Sequence, residues 1–289
     1  MIKSIYKLIR VKQWVKNAFV LAPLLFSLKF LEIASIESAF VCFFVFCFVS
    51  SIVYILNDIV DRKKDAQHPT KKFRPIASGK ISVKMALAIA VLLVLGAVFG
   101  LLYLQNDKVI ITIALYLLIN IFYSLKLKNI AIIDVFMIAL GFVLRVYAGA
   151  YAIGVPVSSY IFMTTLFLSL FLGFTKRKME LLHCGSTARK VLQNYSNDMV
   201  NQYIIISIAL TIMCYALYTL EPSTILHFGT NRLIYSVIFV IYGMFRYLYI
   251  LDKHKDVEDP TENVLKDKGL IGACGLYVLY VLAILSNII

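Results

Sequence analysis

Long, continuous stretches of apolar residues alternate with short polar segments along the whole chain. A helix needs about 20 residues to cross a bilayer, and stretches of that order occur nine times. They cover 17–31, 36–56, 83–104, 107–124, 130–151, 157–174, 199–220, 231–250 and 268–289. Only helices and closed β-barrels can span a lipid bilayer, and these stretches lack the alternation of apolar and polar residues that barrel strands show. The pattern therefore predicts an all-α bundle of nine transmembrane helices, the first and fourth of them short.

Composition supports an integral membrane protein. Hydrophobic residues make up 61% of the 289 positions and charged residues only 16%, which is more apolar than a soluble domain requires. We find no internal repeat and no cleavable leader, so residues 1–289 are expected to form a single membrane domain whose first span is retained. The five cysteines show neither a CxxC pair nor metal-ligand spacing.

The positive charge is distributed unevenly over the loops. Of the 29 Lys and Arg residues, 25 lie before the first predicted helix, in the even-numbered loops or in the helix ends that border those loops. On the other side are Lys29, Lys108 and Arg232, while Arg145 lies inside a helix. The positive-inside rule then predicts a cytoplasmic N-terminus and an external C-terminus in the cell membrane. Topology thus explains the net charge of +13 without nucleic acid as a partner.

The longest polar loop, LNDIVDRKKDAQHPTKKFRPIASGKIS, contains the strongest chemical signal. If helix two continues through it, Asp58, Asp61 and Asp65 fall within about 60° of one another, with Asn57 beside them. Like charges at this spacing repel unless a cation lies between them. Carboxylate oxygens suit Mg²⁺, which is commonly completed by substrate phosphates. The alternative is a solvated helix end. In that case we expect the acids of so basic a loop to pair with Lys or Arg, rather than to lie together on one helix face.

Basic residues follow the acids and form a candidate phosphate clamp. They are His68, Lys71, Lys72, Arg74 and Lys80. Guanidinium and ammonium groups stabilise the charge on a departing pyrophosphate, but the positive-inside rule also accounts for them. For Arg74, which stands between Phe73 and Pro75, binding of phosphate is favoured over the topological explanation.

The N-terminal segment RVKQWVKNAF offers further polar groups. Helical spacing places Gln13 and Asn17 on one face with Arg10, and Lys16 on a neighbouring face. Gln13, Lys16 and Asn17 are candidates for binding substrate. An amphipathic interfacial helix anchored by Trp14 is an equally good interpretation.

Two further predicted helices contain charged candidates. Asp134 and Arg145 lie three turns apart on one face of helix five, and an ionisable residue inside a membrane is a functional candidate by default. The alternative is a structural pair, and function is favoured for Asp134. After helix six, Lys176 and Glu180 share a face while Arg177 points elsewhere; a simple surface pair is the competing interpretation.

At LNDIVDRKKD the sequence resembles the UbiA superfamily of intramembrane prenyltransferases. Members have about nine helices, an NDxxDxxxD element after helix two and a YxxxK-type loop after helix four, which Tyr123 and Lys126 resemble. Most also have a second aspartate-rich motif after helix six. Here TKRKMELLH stands in its place, which disfavours ionisation of a prenyl diphosphate.

The runs HPTKKFRPIASG and FTKRKMEL are similar to the decaprenyl-phosphate phosphoribosyltransferase branch of that superfamily. The resemblance implies transfer from phosphoribosyl pyrophosphate to a polyprenyl phosphate, with Asp58, Asp61 and Asp65 binding Mg²⁺ and Asn57 alongside. Asp58 and Asp61 would be the catalytic pair. The remaining substrate contacts it implies are Gln13, Lys16, Lys71, Arg74, Tyr123, Lys126, Arg145, Lys176, Arg177 and Glu180. Such a product would supply lipid-linked pentose for a cell-envelope polymer, and a homo-oligomer is compatible with the resemblance.

Two other functions compete with this one. A prenyltransferase with an aromatic acceptor would use the same aspartates but predicts a second acidic cluster, and the only acidic stretch, Asp256–Glu262, follows helix eight rather than six. A transporter predicts repeated halves with interrupted helices, which this sequence lacks.

Overall fold

The computed structural model describes residues 1–67, 71–184, 190–253 and 267–285, and the elements within these ranges are all helical. The α-helices are α1 (Ile2–Leu8), α2 (Ala22–Phe26), α3 (Ile33–Val60), α4 (Arg62–Ala66), α5 (Val83–Leu104), α6 (Asp107–Leu125), α7 (Ile133–Ala152), α8 (Ser159–Cys184), α9 (Asn197–Leu220), α10 (Pro222–Phe228), α11 (Val237–Lys253) and α12 (Lys268–Leu285). Short 3₁₀ helices cover Val11–Leu21, Lys29–Leu31, Lys71–Phe73, Leu127–Asn129, Lys190–Asn194 and Arg232–Ser236. His68 and the stretch Asp256–Glu262 lie outside the described residues.

Seven of these helical segments are long and apolar enough to cross a membrane. They are α3, α5, α6, α7, α9, the first 24 residues of α8, and the segment Arg232–Lys253 that contains α11. The apolar part of α12, Lys268–Ile284, is shorter. These lengths confirm a multi-pass, all-α membrane protein, while the count of nine spans stays a prediction.

The predicted first helix over 17–31 is wrong as a continuous α-helix. A 3₁₀ helix covers Val11–Leu21, α2 follows for five residues, and Leu28 with φ 61° ends it before a second 3₁₀ turn. Pro23, near the start of α2, contributes to the break, because it lacks the backbone donor that a continuous α-helix would bond to the Phe19 carbonyl. The predicted shared face of Arg10, Gln13 and Asn17 is also interrupted, since Arg10 has φ 54° and separates α1 from the 3₁₀ helix.

Two compact units make up the chain, namely Met1–Leu125 with Leu144–Val157, and Lys126–Val143 with Ser158–Ile289. In the first unit α3 packs along α5 and against the 3₁₀ helix Val11–Leu21. Its core includes Val45, Phe46 and Val109. Small residues permit this packing: a Cβ on Gly100 would lie 2.5 Å from Cγ2 of Val45. A single domain over 1–289 stays a prediction.

In the second unit α8 packs along α9. Phe171, Leu192 and Ile204 belong to its buried core. Gly173 of α8 lets Val135 approach, since a Cβ there would lie 2.5 Å from Cγ1 of Val135. The core thus fixes the start of α7 against the middle of α8.

We expect Gly149→Ala to prevent correct folding of the first unit. A Cβ on Gly149 would collide with the backbone carbonyl oxygen of Val20, and backbone yields less readily than a flexible side chain. Fluorescence-detected size-exclusion chromatography should show loss of the monodisperse peak. Gly272→Ala is the matched control, because a Cβ added at Gly272 would have no atom within 4 Å among the described residues. Equal profiles for the two variants would contradict the prediction.

Candidate active site

The aspartate-rich segment continues α3 with one break. α3 ends at Val60 and α4 begins at Arg62, but the Asp61 amide still donates to the Asn57 carbonyl at 2.9 Å. The Asp65 amide then donates to the Asp61 carbonyl at 2.8 Å. Because the i to i−4 bonds persist across the break, the sequence prediction that this segment is helical is correct in substance.

Two arginines hold two of the three carboxylates. Arg74 Nη1 donates to Asp65 Oδ2 at 2.6 Å and to Asp58 Oδ1 at 3.1 Å. Arg10 Nη2 donates to the same Asp58 oxygen at 2.7 Å, and its guanidinium lies 4.4 Å from the centroid of the Tyr54 ring. Asp58 and Asp65 therefore share one face, as helical spacing predicts, and both pair with arginine, as the alternative of a solvated helix end predicts; binding of Mg²⁺ stays a prediction. Charge-assisted bonds to arginine offset the repulsion between them.

The turns after α4 fix Arg74 in this position. The Arg74 amide closes the 3₁₀ turn by donating to the Lys71 carbonyl, and the Ser78 amide donates back to the Arg74 carbonyl. Ile76 and Ile81 are buried in a small core with Leu8 and Ile55. The turn before Arg74 and the buried apolar residues that follow it in RPIASGKI thus hold the arginine in position.

The donor chemistry of this cluster fits Mg²⁺. Asp58 Oδ2 and Asp65 Oδ1 accept no hydrogen bond from the residues that the structure describes, and neither does the half-buried Asp61 carboxylate. Carboxylate oxygens are the ligands that Mg²⁺ prefers. Within the described ranges, no three acidic, His or Cys side chains already stand at metal-binding separation. All three aspartates would reach one ion only after side-chain rotation, although Mg²⁺ is commonly held by one or two carboxylates together with substrate phosphates and water. Asn57, half-buried beside them, contributes an amide.

Polar contacts along one face of α3 position Arg10. Trp14 Nε1 donates to Ser51 Oγ at 3.1 Å, and Ser51 Oγ donates to the Ile9 carbonyl at 2.8 Å. Further along, Asn17 Nδ2 donates to Ser50 Oγ at 3.2 Å. Trp14 is therefore engaged by a membrane helix, which the interfacial-anchor interpretation does not predict. The sequence gives no sign that Arg10 belongs to the site, because its partner Asp58 lies 48 positions away.

Arg145 lies in a separate, buried polar network of the first unit. Its Nε donates to Asn17 Oδ1 at 2.8 Å and its Nη2 to the Tyr116 hydroxyl at 3.0 Å. The guanidinium also lies 4.8 Å from the Tyr116 ring centroid and 5.8 Å from that of Phe46. Asp134 is not one of these partners, and Arg145 and Asp134 each belong to a different network. Direct binding of substrate by Asn17 or Arg145 stays a prediction.

Asp134 anchors a third cluster, in the second unit. Arg177 Nε donates to Asp134 Oδ2 at 2.6 Å, and Arg177 Nη1 also binds Glu180. The Tyr195 hydroxyl donates to Asp134 Oδ1 at 2.8 Å and accepts from the Ile132 amide at 2.6 Å. Asp134 and Arg177 are 0% and 1% exposed, so both are held within the core of this unit, and contact of Asp134, Arg177 or Glu180 with substrate stays a prediction. Sequence reasoning misses Tyr195, which lies 61 positions from Asp134 with no motif around it.

Burial raises the pKa of the Tyr195 hydroxyl, which is protonated at neutral pH in any case. Desolvation is the main cause that raises the pKa of Tyr195 well above its usual range, and its bond to Asp134 raises it further. At neutral pH this group therefore donates one hydrogen bond and accepts another.

The other predicted substrate contacts are distributed over both units. Gln13, Lys16, Lys71, Tyr123 and Lys176 are half-buried, and Lys126 is exposed. The geometry does not test whether any of them meets substrate, so these assignments stay predictions.

Comparison with known proteins places these features in context. The model of the UbiA prenyltransferase family matches residues 19–262. A decaprenyl-phosphate phosphoribosyltransferase from Corynebacterium glutamicum is 36% identical over 225 residues, covering 75% of this chain and 67% of that protein. One from Mycolicibacterium smegmatis is 29% identical and covers 93% of this chain and 88% of that protein.

Solved structures show the same fold. A UbiA homolog from Archaeoglobus fulgidus bound to GPP and Mg²⁺ superposes with a TM-score of 0.70 at 19% identity, covering 98% of this chain and 99% of that one. A digeranylgeranylglyceryl phosphate synthase gives a TM-score of 0.67 at 22% identity over 99% of both chains. At these identities the likeness establishes the fold and leaves the substrate open.

Proposed function

The chain belongs to the UbiA prenyltransferase family, and on that premise we propose that it transfers 5-phosphoribosyl from phosphoribosyl pyrophosphate to a polyprenyl phosphate. The observation that carries the proposal is its similarity to named decaprenyl-phosphate phosphoribosyltransferases over three quarters of the chain or more. The cluster of Asp58, Asp65, Arg10 and Arg74 supports it, since a pyrophosphate requires both a metal and basic donors.

Asp58, Asp61 and Asp65 would hold Mg²⁺, as the unused carboxylate oxygens suggest. When bound, Mg²⁺ neutralises phosphate oxygens and orients a pyrophosphate leaving group. A related structure bound to GPP and Mg²⁺ is consistent with such a site in this fold. Asn57, which is half-buried next to Asp58 in sequence, would supply an amide to the same site.

Arg10 and Arg74 stabilise the leaving group in this proposal. Each guanidinium uses one nitrogen on the aspartates, and its other N–H groups make no hydrogen bond among the described contacts. Both side chains are about a quarter to a third exposed, at 26% and 30%. They can therefore donate to phosphate oxygens while still orienting Asp58, and such donors stabilise charge best when they are fixed before the reaction.

The acceptor needs little activation by the protein. A phosphate monoester has a second pKa near 6, so its oxygen is already ionised at neutral pH. That oxygen forms a bond to C1 of the ribosyl group as the bond from C1 to pyrophosphate breaks, and pyrophosphate takes the electron pair. No general base is required. The positive-inside rule assigns the lysine- and arginine-rich side of the membrane to the cytoplasm. A water-soluble donor would enter from that side.

Release of pyrophosphate tests the proposal. Purified protein is given phosphoribosyl pyrophosphate, Mg²⁺ and a polyprenyl phosphate, and pyrophosphate and the phosphoribosylated lipid are quantified. We expect both products in equal amounts, and neither without the lipid. Turnover of a prenyl diphosphate with an aromatic acceptor, and none of phosphoribosyl pyrophosphate, would overturn the proposal in favour of an ordinary prenyltransferase.

Replacing Arg10 by glutamine should lower kcat/KM for phosphoribosyl pyrophosphate. Hydrogen bonds to charged groups contribute about 1.5–3 kcal/mol, so a loss of roughly 10- to 100-fold is expected. Lys7→Gln is the control, because Lys7 is exposed and lies in the same N-terminal segment. The role given to Arg10 would be refuted if both variants retained wild-type kcat/KM.

A further inference from the structure

The guanidinium of Arg10 contacts two side chains of α3 at once. Its Nη2 donates to Asp58 Oδ1 at 2.7 Å, and its Cζ lies 4.4 Å from the centroid of the Tyr54 ring. Tyr54 and Asp58 are four residues apart in α3, and side chains at that spacing lie on one face of a helix. A cation this close to an aromatic ring is attracted by the negative face of the ring. The carboxylate and the ring therefore bind the same arginine together.

The backbone on both sides of Arg10 is held by a different residue of α3. Arg10 has φ 54°, a left-handed conformation that is uncommon for residues other than glycine. Ser51 Oγ donates to the Ile9 carbonyl at 2.8 Å and accepts from Trp14 Nε1 at 3.1 Å. These bonds fix where the Arg10 side chain begins. The place where the guanidinium ends depends on the contacts of the side chain itself.

The carboxylate alone gives the guanidinium a weakly defined orientation. Among the residues that the structure describes, Asp58 and Tyr54 are the two partners of the Arg10 side chain. The bond to Asp58 uses one nitrogen, and the same carboxylate oxygen also accepts from Arg74 at 3.1 Å. A single shared hydrogen bond permits rotation about its own axis. Contact with the Tyr54 ring removes that freedom and so determines where the other N–H groups of Arg10 lie.

Apolar packing in this turn of α3 is provided by the neighbouring residue. Ile55 is 0% exposed and belongs to the small core with Leu8 and Ile76. Tyr54 is half-buried, and its ring lies against a guanidinium that is itself 26% exposed. Loss of the Tyr54 ring should therefore disturb Arg10 more than it disturbs the core.

We propose that Tyr54 is a positioning residue, whose ring fixes the Arg10 guanidinium so that its remaining N–H groups can bind the pyrophosphate group of the donor. This inference rests on the proposed function for the identity of the donor and for the role of Arg10. Tyr54 does not touch the reacting atoms; it acts through Arg10. Donors stabilise the charge of a leaving group best when they are already in place before the reaction, and the ring supplies that order.

Two variants of Tyr54 test the inference, because Tyr54→Leu removes the ring and Tyr54→Phe keeps it. We expect Tyr54→Leu to raise the Kd for inorganic pyrophosphate with Mg²⁺, measured by isothermal titration calorimetry, about 3- to 30-fold. Its kcat/KM for phosphoribosyl pyrophosphate should fall by a similar factor, with KM for the polyprenyl phosphate unchanged. Tyr54→Phe should stay near wild type in all three measurements. In an Arg10→Gln background Tyr54→Leu should add little, since the residue that the ring positions is already gone.

Phe40→Leu is the matched control, because it also replaces an aromatic ring of α3 by leucine but lies exposed at the opposite end of that helix. It should leave the Kd for pyrophosphate and the kinetics unchanged. If the leucine variant of Tyr54 does not fold, Tyr54→Met provides the same comparison.

Binding of pyrophosphate separates failure of this inference from failure of the proposed function. If wild-type protein bound pyrophosphate with Mg²⁺ but did not consume phosphoribosyl pyrophosphate, the proposed donor would be wrong. The Kd values of the Tyr54 variants would still decide whether the ring positions Arg10. An unchanged Kd in Tyr54→Leu, equal losses in Tyr54→Leu and Tyr54→Phe, or full additivity with Arg10→Gln would overturn the inference. So would a wild-type protein that binds no pyrophosphate, because Arg10 would then have no such ligand.

Discussion

Asp58→Asn should reduce pyrophosphate release from phosphoribosyl pyrophosphate by about 10²- to 10³-fold or more, the loss typical of removing one preorganised electrostatic group. Asparagine keeps an oxygen that can accept from Arg10 and Arg74, so the local fold should persist. What it removes is the negative charge and the free carboxylate oxygen that a magnesium ion requires. Initial rates at saturating lipid, measured over a range of Mg²⁺ concentrations, should show the lower activity even at high Mg²⁺.

Asp107→Asn provides the control for this prediction. Asp107 is likewise an aspartate at the end of a membrane helix, in the first turn of α6, but it is exposed and distant in sequence from the NDxxD element. Its replacement should leave the rate unchanged. Near-wild-type activity of Asp58→Asn, with normal folding of the protein, would exclude Asp58 as a metal ligand and remove the main structural support for the proposed reaction.

Local spacing is enough to predict the acidic side of the site. Asp58 and Asp65 are seven residues apart, which is two helical turns, and the structure brings both to the same atom of Arg74. Arg74 itself follows closely in sequence, and Pro75 suggests that its position is fixed. Predictions of this kind depend only on helix geometry over a few turns, so the break at Asp61 changes them little.

Contacts between distant segments cannot be predicted in the same way. Arg10 reaches Asp58 because a 3₁₀ helix, not an α-helix, follows it and lies along the polar face of α3. No periodicity in RVKQWVKN distinguishes these two helix types. Tyr195 is a similar case: it follows a short 3₁₀ turn, and nothing in VLQNYSND indicates a partner in the loop before α7.

Charge patterning is also ambiguous for α8. The sequence TKRKMEL places Lys176 and Glu180 one turn apart, which suggests a surface pair with Arg177 facing elsewhere. In the structure Arg177 is the residue that is fully buried, and it binds both Glu180 and Asp134. Which of three adjacent cations becomes buried depends on where α7 packs, because only that contact supplies the second carboxylate. Gly173, one turn earlier, admits Val135 of α7 and so permits the approach that brings the neighbouring Asp134 to Arg177.

Arg177→Met should destabilise the second unit by about 3–5 kcal/mol, the cost of breaking a buried ion pair by removing one partner. Methionine fills a similar volume in the core, so the loss arises mainly from the carboxylate of Asp134, which is 0% exposed. Among the described contacts this carboxylate would keep only the hydrogen bond from the Tyr195 hydroxyl. The free energy of unfolding, measured by titration with SDS in mixed micelles, reports this cost directly. Substrate need not be present, so the result does not depend on the proposed reaction.

The double variant Asp134→Leu/Arg177→Met separates charge from packing. If the uncompensated carboxylate causes the loss, removing it as well should recover much of the stability, and the two single changes should be strongly non-additive. Lys178→Met is the control, since Lys178 neighbours Arg177 on the same helix but is half-buried, and it should cost less than about 1 kcal/mol. A small loss for Arg177→Met, or simple additivity with Asp134→Leu, would mean that the pair contributes little to folding. Arg177 would then have to be explained by a contact with substrate, as the sequence resemblance implies.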